Sequence, residues 1–160
     1  MARDNIAGDI NLDCWMRVVA DTNVLVSAIG SPSGASGFVL KEMLHGRLEF
    51  GLSPALLLEY EDVLKRPLML GDPPKVTFAD VETILDALCS RARPALSYFR
   101  FRPILSDPKD DFLIECALAS GATIILTSDR HLAPEALKPL GLKAMTPRMF
   151  LQDYYRKETQ

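Results

Sequence analysis

Short apolar runs that each stop at a polar boundary set the frame of this chain. Arg17-Val18-Val19-Ala20 is largely β-branched and ends in Asp21-Thr22-Asn23. Ala122 to Leu126 carries Ile124-Ile125 and ends in Thr127-Ser128-Asp129. Glu49 to Leu52 and Leu142 to Met145 are two further short runs. Continuous apolar runs of this length suit strands covered on both faces, as in parallel sheets. Between them the period turns helical. Val24 to Ile29 is one such run, stopped by the Ser/Gly/Pro loop of 30–37. Phe38, Leu40 to Leu44 and Leu48 predict a second helix, closed near Gly46. Ser53-Pro54 reads as N-cap and first helical residue of a third, running to about Lys65 and stopping before Pro67. After a proline-rich loop at 66–75, Thr77 with Asp80 predicts a capped helix that buries Val81, Ile84, Leu85 and Leu88 and ends near Arg93-Pro94.

Tyr98 to Ile104 alternates aromatic residues with arginine, as an exposed strand or extended segment does. Asp107-Pro108 repeats the cap signal for a helix ending at Gly121. Residues 134–138 predict a short helix and Pro147 to Tyr155 a last one. Strands alternating with helices predict the α/β class: a three-layer α/β/α sandwich with a central parallel sheet.

Length and composition narrow this further. The 160 residues, 48% hydrophobic and 24% charged, suit one globular domain, expected over 16–155, with either Met16 as the functional start or 1–15 as a flexible tail. No apolar leader segment stands in residues 1–15, and the longest uncharged run, Thr22 to Leu40, is broken by the 30–37 loop, so no membrane span is expected. Eighteen basic against 21 acidic residues give a net charge of −3, too acidic to hold nucleic acid by charge alone. Three cysteines, Cys14, Cys89 and Cys116, have no ligand spacing and predict buried thiols in a cytoplasmic protein. With only His45 and His131, a histidine-rich zinc site is excluded.

The chemistry then lies with carboxylates. In a parallel sheet, ligands bind at the carboxyl ends of the strands, and two strands here end in Asp21 and Asp129. The plainer alternative is that each caps the following helix. On the helix from Pro108, Asp110 shares its angular sector with Ile114 and Ala117, whereas Asp111 and Glu115 fall opposite. Its place in the first turn gives Asp110 a dipole alternative as well. Glu59 borders the apolar arc of Leu56 and Tyr60. Glu61, four before Lys65, reads as an exposed ion pair. Converging carboxylates without imidazole or thiolate favour Mg²⁺ or Mn²⁺, and such sites serve phosphodiester cleavage.

Four stretches carry a resemblance: Val19 to Ala28 with Asp21-Thr22-Asn23, Ser53 to Leu64 with Glu59-Tyr60, Asp107 to Ala117 with Asp110-Asp111, and Thr127-Ser128-Asp129-Arg130-His131-Leu132. Their order and spacing over about 16–150 resemble the PIN-domain family, most of all its branch of toxins from toxin–antitoxin pairs (VapC-like). The resemblance implies a metal-dependent ribonuclease, with Asp21, Glu59, Asp110 and Asp129 as the metal-holding acids and Thr22, Asn23, Thr127 and Ser128 behind them. It implies single-stranded RNA as substrate, a small antitoxin as partner, and a homodimer. Arg100, Arg102 and Arg130 are candidate RNA contacts, although Phe99 to Arg102 also suits an edge strand with its arginines outward. Two readings stand beside the toxin: a PIN nuclease of RNA processing, and a PIN scaffold without catalysis. A phospho-acceptor reading of Asp21 lacks the second acid two residues on and any phosphate loop.

Overall fold

The computed structural model describes residues 16–96, 108–129, 132 and 134–158, and of 108–110 and 154–158 the backbone alone. The expectations for the tail at 1–15 and the segment at 98–104 lie outside these residues.

The first apolar run forms strand β1 (Val18–Ala20), wholly buried, and Asp21 caps helix α1 (Thr22–Gly30). Helix α2 (Ala35–Leu44) begins three residues before its first large apolar side chain. Its early turn is set by a close approach: a Cβ at Gly37 would lie 2.1 Å from the Pro32 carbonyl oxygen, so only glycine fits there. Leu48 lies beyond this helix and is still buried.

Strand β2 (Gly51–Leu52) leads to Ser53, whose Oγ accepts from the Leu56 N–H at 3.1 Å and caps helix α3 (Pro54–Leu64). Helix α4 (Phe78–Arg91) opens with a full capping box of Thr77 and Asp80. The Glu61–Lys65 pair forms as expected, at 2.8 Å.

A strand that the sequence pattern does not suggest follows: β3 (Arg93–Pro94) pairs in parallel with β2. The Arg93 and Ala95 N–H groups donate to Phe50 and Leu52, so the missing N–H of Pro94 leaves no gap in the ladder. Helix α5 (Pro108–Ser120) stops at Gly121, whose φ of 74° is the left-handed turn glycine permits. Then come β4 (Ile124–Leu126), the short helix α6 (Pro134–Leu137) with a 3₁₀ turn behind it, β5 (Lys143–Met145) and helix α7 (Pro147–Glu158).

Strands β1, β4 and β5 form a parallel sheet in the order β1-β4-β5. The β2–β3 pair joins β1 by a parallel bridge between Val18 and Phe50. The strands thus run β3-β2-β1-β4-β5, flanked by seven helices among the described residues: an α/β sandwich, as the strand–helix alternation predicts. Helix α5 lies on β1, β2 and β4, while α1 to α4 pack on one another. The core is apolar and closely filled, with Leu25, Phe50, Leu56, Ile114, Ile125 and Leu126 almost without exposure. Each such side chain contributes about 1.5–3 kcal/mol by leaving water.

Two consequences matter for function. The chain order reverses at β1, which makes the β1–β4 junction the switch point where doubly wound sheets open a crevice. The register aligns Ala20, Leu126 and Met145, so the residues after these strands leave the sheet at one level. One expectation fails here: Cys116 is buried, but Cys89 is exposed. Cys89 follows the buried Leu88 and so stands one step, 100°, off the buried arc of α4. No single helix among the described residues is long and apolar enough to cross a membrane.

Candidate active site

At the end of β1 the Asp21 N–H donates to the Leu126 carbonyl at 2.8 Å, which fixes Asp21 against β4. Its two carboxylate oxygens are then used differently. Oδ1 accepts from the Thr22 N–H at 2.7 Å and caps α1. Oδ2 accepts from the Thr127 hydroxyl at 2.8 Å and from the Asn23 amide at 3.1 Å. Oδ1 thus meets the helix-cap reading of Asp21, while Oδ2 joins a network that reaches across to the end of β4.

Thr127 is the centre of this arrangement. It follows β4, is 3% exposed, and its N–H donates to the Met145 carbonyl at 3.1 Å. Besides donating to Asp21, its Oγ1 accepts from the Asp129 N–H at 3.0 Å and from the Asn23 amide at 3.3 Å. Asn23 Oδ1 accepts in turn from the Ser128 N–H at 3.2 Å. Four residues from two distant stretches thereby lock the two strand ends together, and Asp129 is drawn to the same edge as Asp21.

The electrostatics agree. Burial holds the Asp21 carboxyl above its ordinary range, and the Asp129 charge pushes it further. Hydrogen bonds from Thr127, Thr22 and Asn23 pull the other way. A carboxylate raised by a second carboxylate is a place where a cation lowers the energy.

The remaining sequence candidates stand around this pair. Glu59 lies half-buried on α3, next to Tyr60, whose hydroxyl donates to the Ala20 carbonyl at 2.5 Å. The charges of Asp21 and Glu59 both act on that hydroxyl, whose proton is held mainly by burial, then by Cys116 and these two acids. Asp110 occupies the first turn of α5, and its side chain is outside the description. The arc it was assigned to is buried at Ile114 and Ala117, while Asp111 and Glu115 are half-exposed. Arg100, Arg102 and Arg130 lie outside the described residues. Tyr60 was legible in sequence only as an apolar position; its link to β1 needed the fold.

The donor set decides which ion these residues fit. Asp21 and Asp129 offer carboxylates, and Thr22 Oγ1, one residue on, is buried with no hydrogen-bond partner among the described residues. Every one of these donors is oxygen, with no imidazole or thiolate beside them among the described residues. No group of three His, Cys, Asp or Glu side chains stands ready for a metal among the described residues. Mg²⁺ needs no such group: it is held through one or two carboxylates, with waters and phosphate completing its shell. The residues present fit a hydrated hard cation.

Compared with known proteins, residues 17–131 match a family model described as PIN domain. No curated protein matches the chain.

Proposed function

The chain belongs to the PIN-domain family, whose members are generally nucleases, and from that premise we propose that it is a Mg²⁺- or Mn²⁺-dependent endoribonuclease for single-stranded RNA. The observation that carries this reading is the pairing of Asp21 with Asp129 at the β1–β4 switch point, cross-linked by Thr127. Asp21 and Asp129 would hold the cation, with Asp110 of α5 as a third acid, and Glu59 of α3 would help hold the cation or orient the attacking water. Thr127 and Asn23 keep Asp21 Oδ2 in place by donating to it, and the Thr22 N–H holds Oδ1. When bound, the cation supplies Lewis acidity at the phosphate and a water more easily deprotonated. Because the chain is net acidic, substrate affinity comes from contacts at this site rather than from a basic surface.

The narrower proposal is that the cleavage serves as the toxin of a toxin–antitoxin pair in the cytoplasm, with the chain as a homodimer restrained by a small antitoxin. The four-motif resemblance supports it.

The test is cleavage of a labelled single-stranded RNA by the purified chain with Mn²⁺ or Mg²⁺. Activity lost in EDTA and in both Asp21→Asn and Asp129→Asn is the expected result. Absence of cleavage by the wild type with either ion would leave the scaffold reading ahead. For the toxin role, induced expression should arrest growth, and the Asp21→Asn chain should not.

A further inference from the structure

Tyr60 is 1% exposed, too buried to touch RNA or an ion. Its hydroxyl crosses from α3 to β1 and donates to the carbonyl of Ala20, the residue before Asp21. Among the described residues no other side chain of α3 hydrogen-bonds to a strand. The link comes where the sheet itself gives little hold. The ladder between β1 and β2 is a single bridge at Val18, so the last residue of β1 is tied on that side by a helix side chain. Helix α3 is otherwise fastened at its start, by the Ser53 cap next to β2. Glu59 and Tyr60 are consecutive, as are Ala20 and Asp21. One hydrogen bond therefore joins two residue pairs that each carry an acid.

We propose that Tyr60 is a positioning residue for the cation site: by holding the Ala20 carbonyl it sets where α3 stands against the end of β1, and so fixes the spacing of the Glu59 and Asp21 carboxylates. This rests on the metal-dependent reading above. Tyr60→Phe removes one oxygen and keeps the ring that fills the core, so it isolates the positioning from the packing. Partners at one remove from a metal typically matter about 10- to 100-fold in affinity or activity.

The experiment is a calorimetric Mn²⁺ titration of the full chain, with RNA cleavage measured beside it. Tyr60→Phe should bind Mn²⁺ about 10-fold more weakly and lose kcat with KM for RNA unchanged. Leu64→Val, a buried change one turn along the same helix, lowers stability without touching the link and should bind Mn²⁺ as the wild type does. In a Glu59→Gln background the Tyr60→Phe effect should shrink, since one of the two spaced acids is gone. With 4-aminophenylalanine incorporated at position 60, a donor returns and so should affinity. Equal Mn²⁺ affinity in the wild type and Tyr60→Phe overturns the proposal. So does an equal loss in Leu64→Val, or a 4-aminophenylalanine chain as weak as Tyr60→Phe. If the wild type itself takes up no Mn²⁺, the metal-dependent reading fails first, and that failure shows before any Tyr60 variant is compared.

Discussion

Replacing Thr127 with valine keeps the shape of a buried side chain and deletes one hydroxyl. That hydroxyl donates to Asp21 Oδ2 at 2.8 Å and accepts from the Asp129 N–H at 3.0 Å. A hydrogen bond to a charged acceptor contributes about 1.5–3 kcal/mol, and one to a neutral group about 0.5–1.5. Water reaches the half-exposed Asp129, so the N–H left behind adds little. The expected loss near pH 7 without metal is therefore about 2–3 kcal/mol.

The loss should depend on pH, and its sign follows from Asp21. That carboxyl titrates above its ordinary 3.8 in the folded chain. Its contribution to stability is fully present below pH 3.8 and is lost as the pH rises through the folded value. Thr127 is the strongest of the groups that pull the value down, so its removal raises it further and deepens the loss on ionisation. At pH 4 more of Asp21 is protonated than at pH 7, and there the valine chain should trail the wild type by about 1 kcal/mol; by pH 7 the gap should widen by about another 1 kcal/mol. Urea denaturation in EDTA, followed by circular dichroism from pH 4 to 7, reads this directly. A gap that stays constant or narrows as the pH rises would refute the assignment of the Thr127 hydroxyl to the ionised carboxylate.

Gly51→Ala places a Cβ 2.1 Å from Ser120 Oγ and 2.5 Å from Ser120 Cβ, where α5 rests on the sheet. It should cost about 1–3 kcal/mol by chemical denaturation, partly recovered with Ser120→Gly but not with Ser120→Ala, which retains the clashing Cβ. Leu68 is 75% exposed with a φ of 65°, so Leu68→Gly should be neutral or stabilise by up to about 1 kcal/mol in a thermal melt. Asp110→Ala should abolish RNA cleavage and Asp111→Ala retain it; the reverse would mean that the phase of α5 is misread. Saturating Mn²⁺ should raise the melting temperature: at 100 times its Kd a ligand adds about 2.7 kcal/mol. Asp21→Ala should erase that rise.

Most of the frame was legible because local signals and the global fold agree. Ser53-Pro54 and Thr77 with Asp80 cap their helices as their sequence demands, and the apolar runs at 18–20 and 124–126 pair in register. What was not legible had no local signal. Strand β3 is two exposed residues, one of them proline, and becomes a strand only because the edge of β2 offers partners. The early start of α2 depends on the contact of Gly37 with Pro32, which no periodicity reports. Tyr60 followed the same rule: helical phase puts it inside the core, while the partner of its hydroxyl lies 40 residues away.

Asp21 shows why a choice between structural and functional roles was posed too sharply at the sequence level. An aspartate after a strand and before a helix has two oxygens, and a cap uses one. Here Oδ1 serves the Thr22 N–H, and Oδ2 is left to the Thr127–Asn23 network that brings in Asp129. The cap is thus part of what makes the site precise. It fixes the rotation of the carboxylate, and with it the direction of the second oxygen, before any ion arrives. Burial and the charge of Asp129 make that oxygen costly to ionise, and three donors offset part of the cost. A protein stabilised by this arrangement alone would do better with a serine cap at 21 and an uncharged residue at 129. Retaining both carboxylates at the switch-point crevice makes physical sense when a cation neutralises them, which is the condition the proposed chemistry requires.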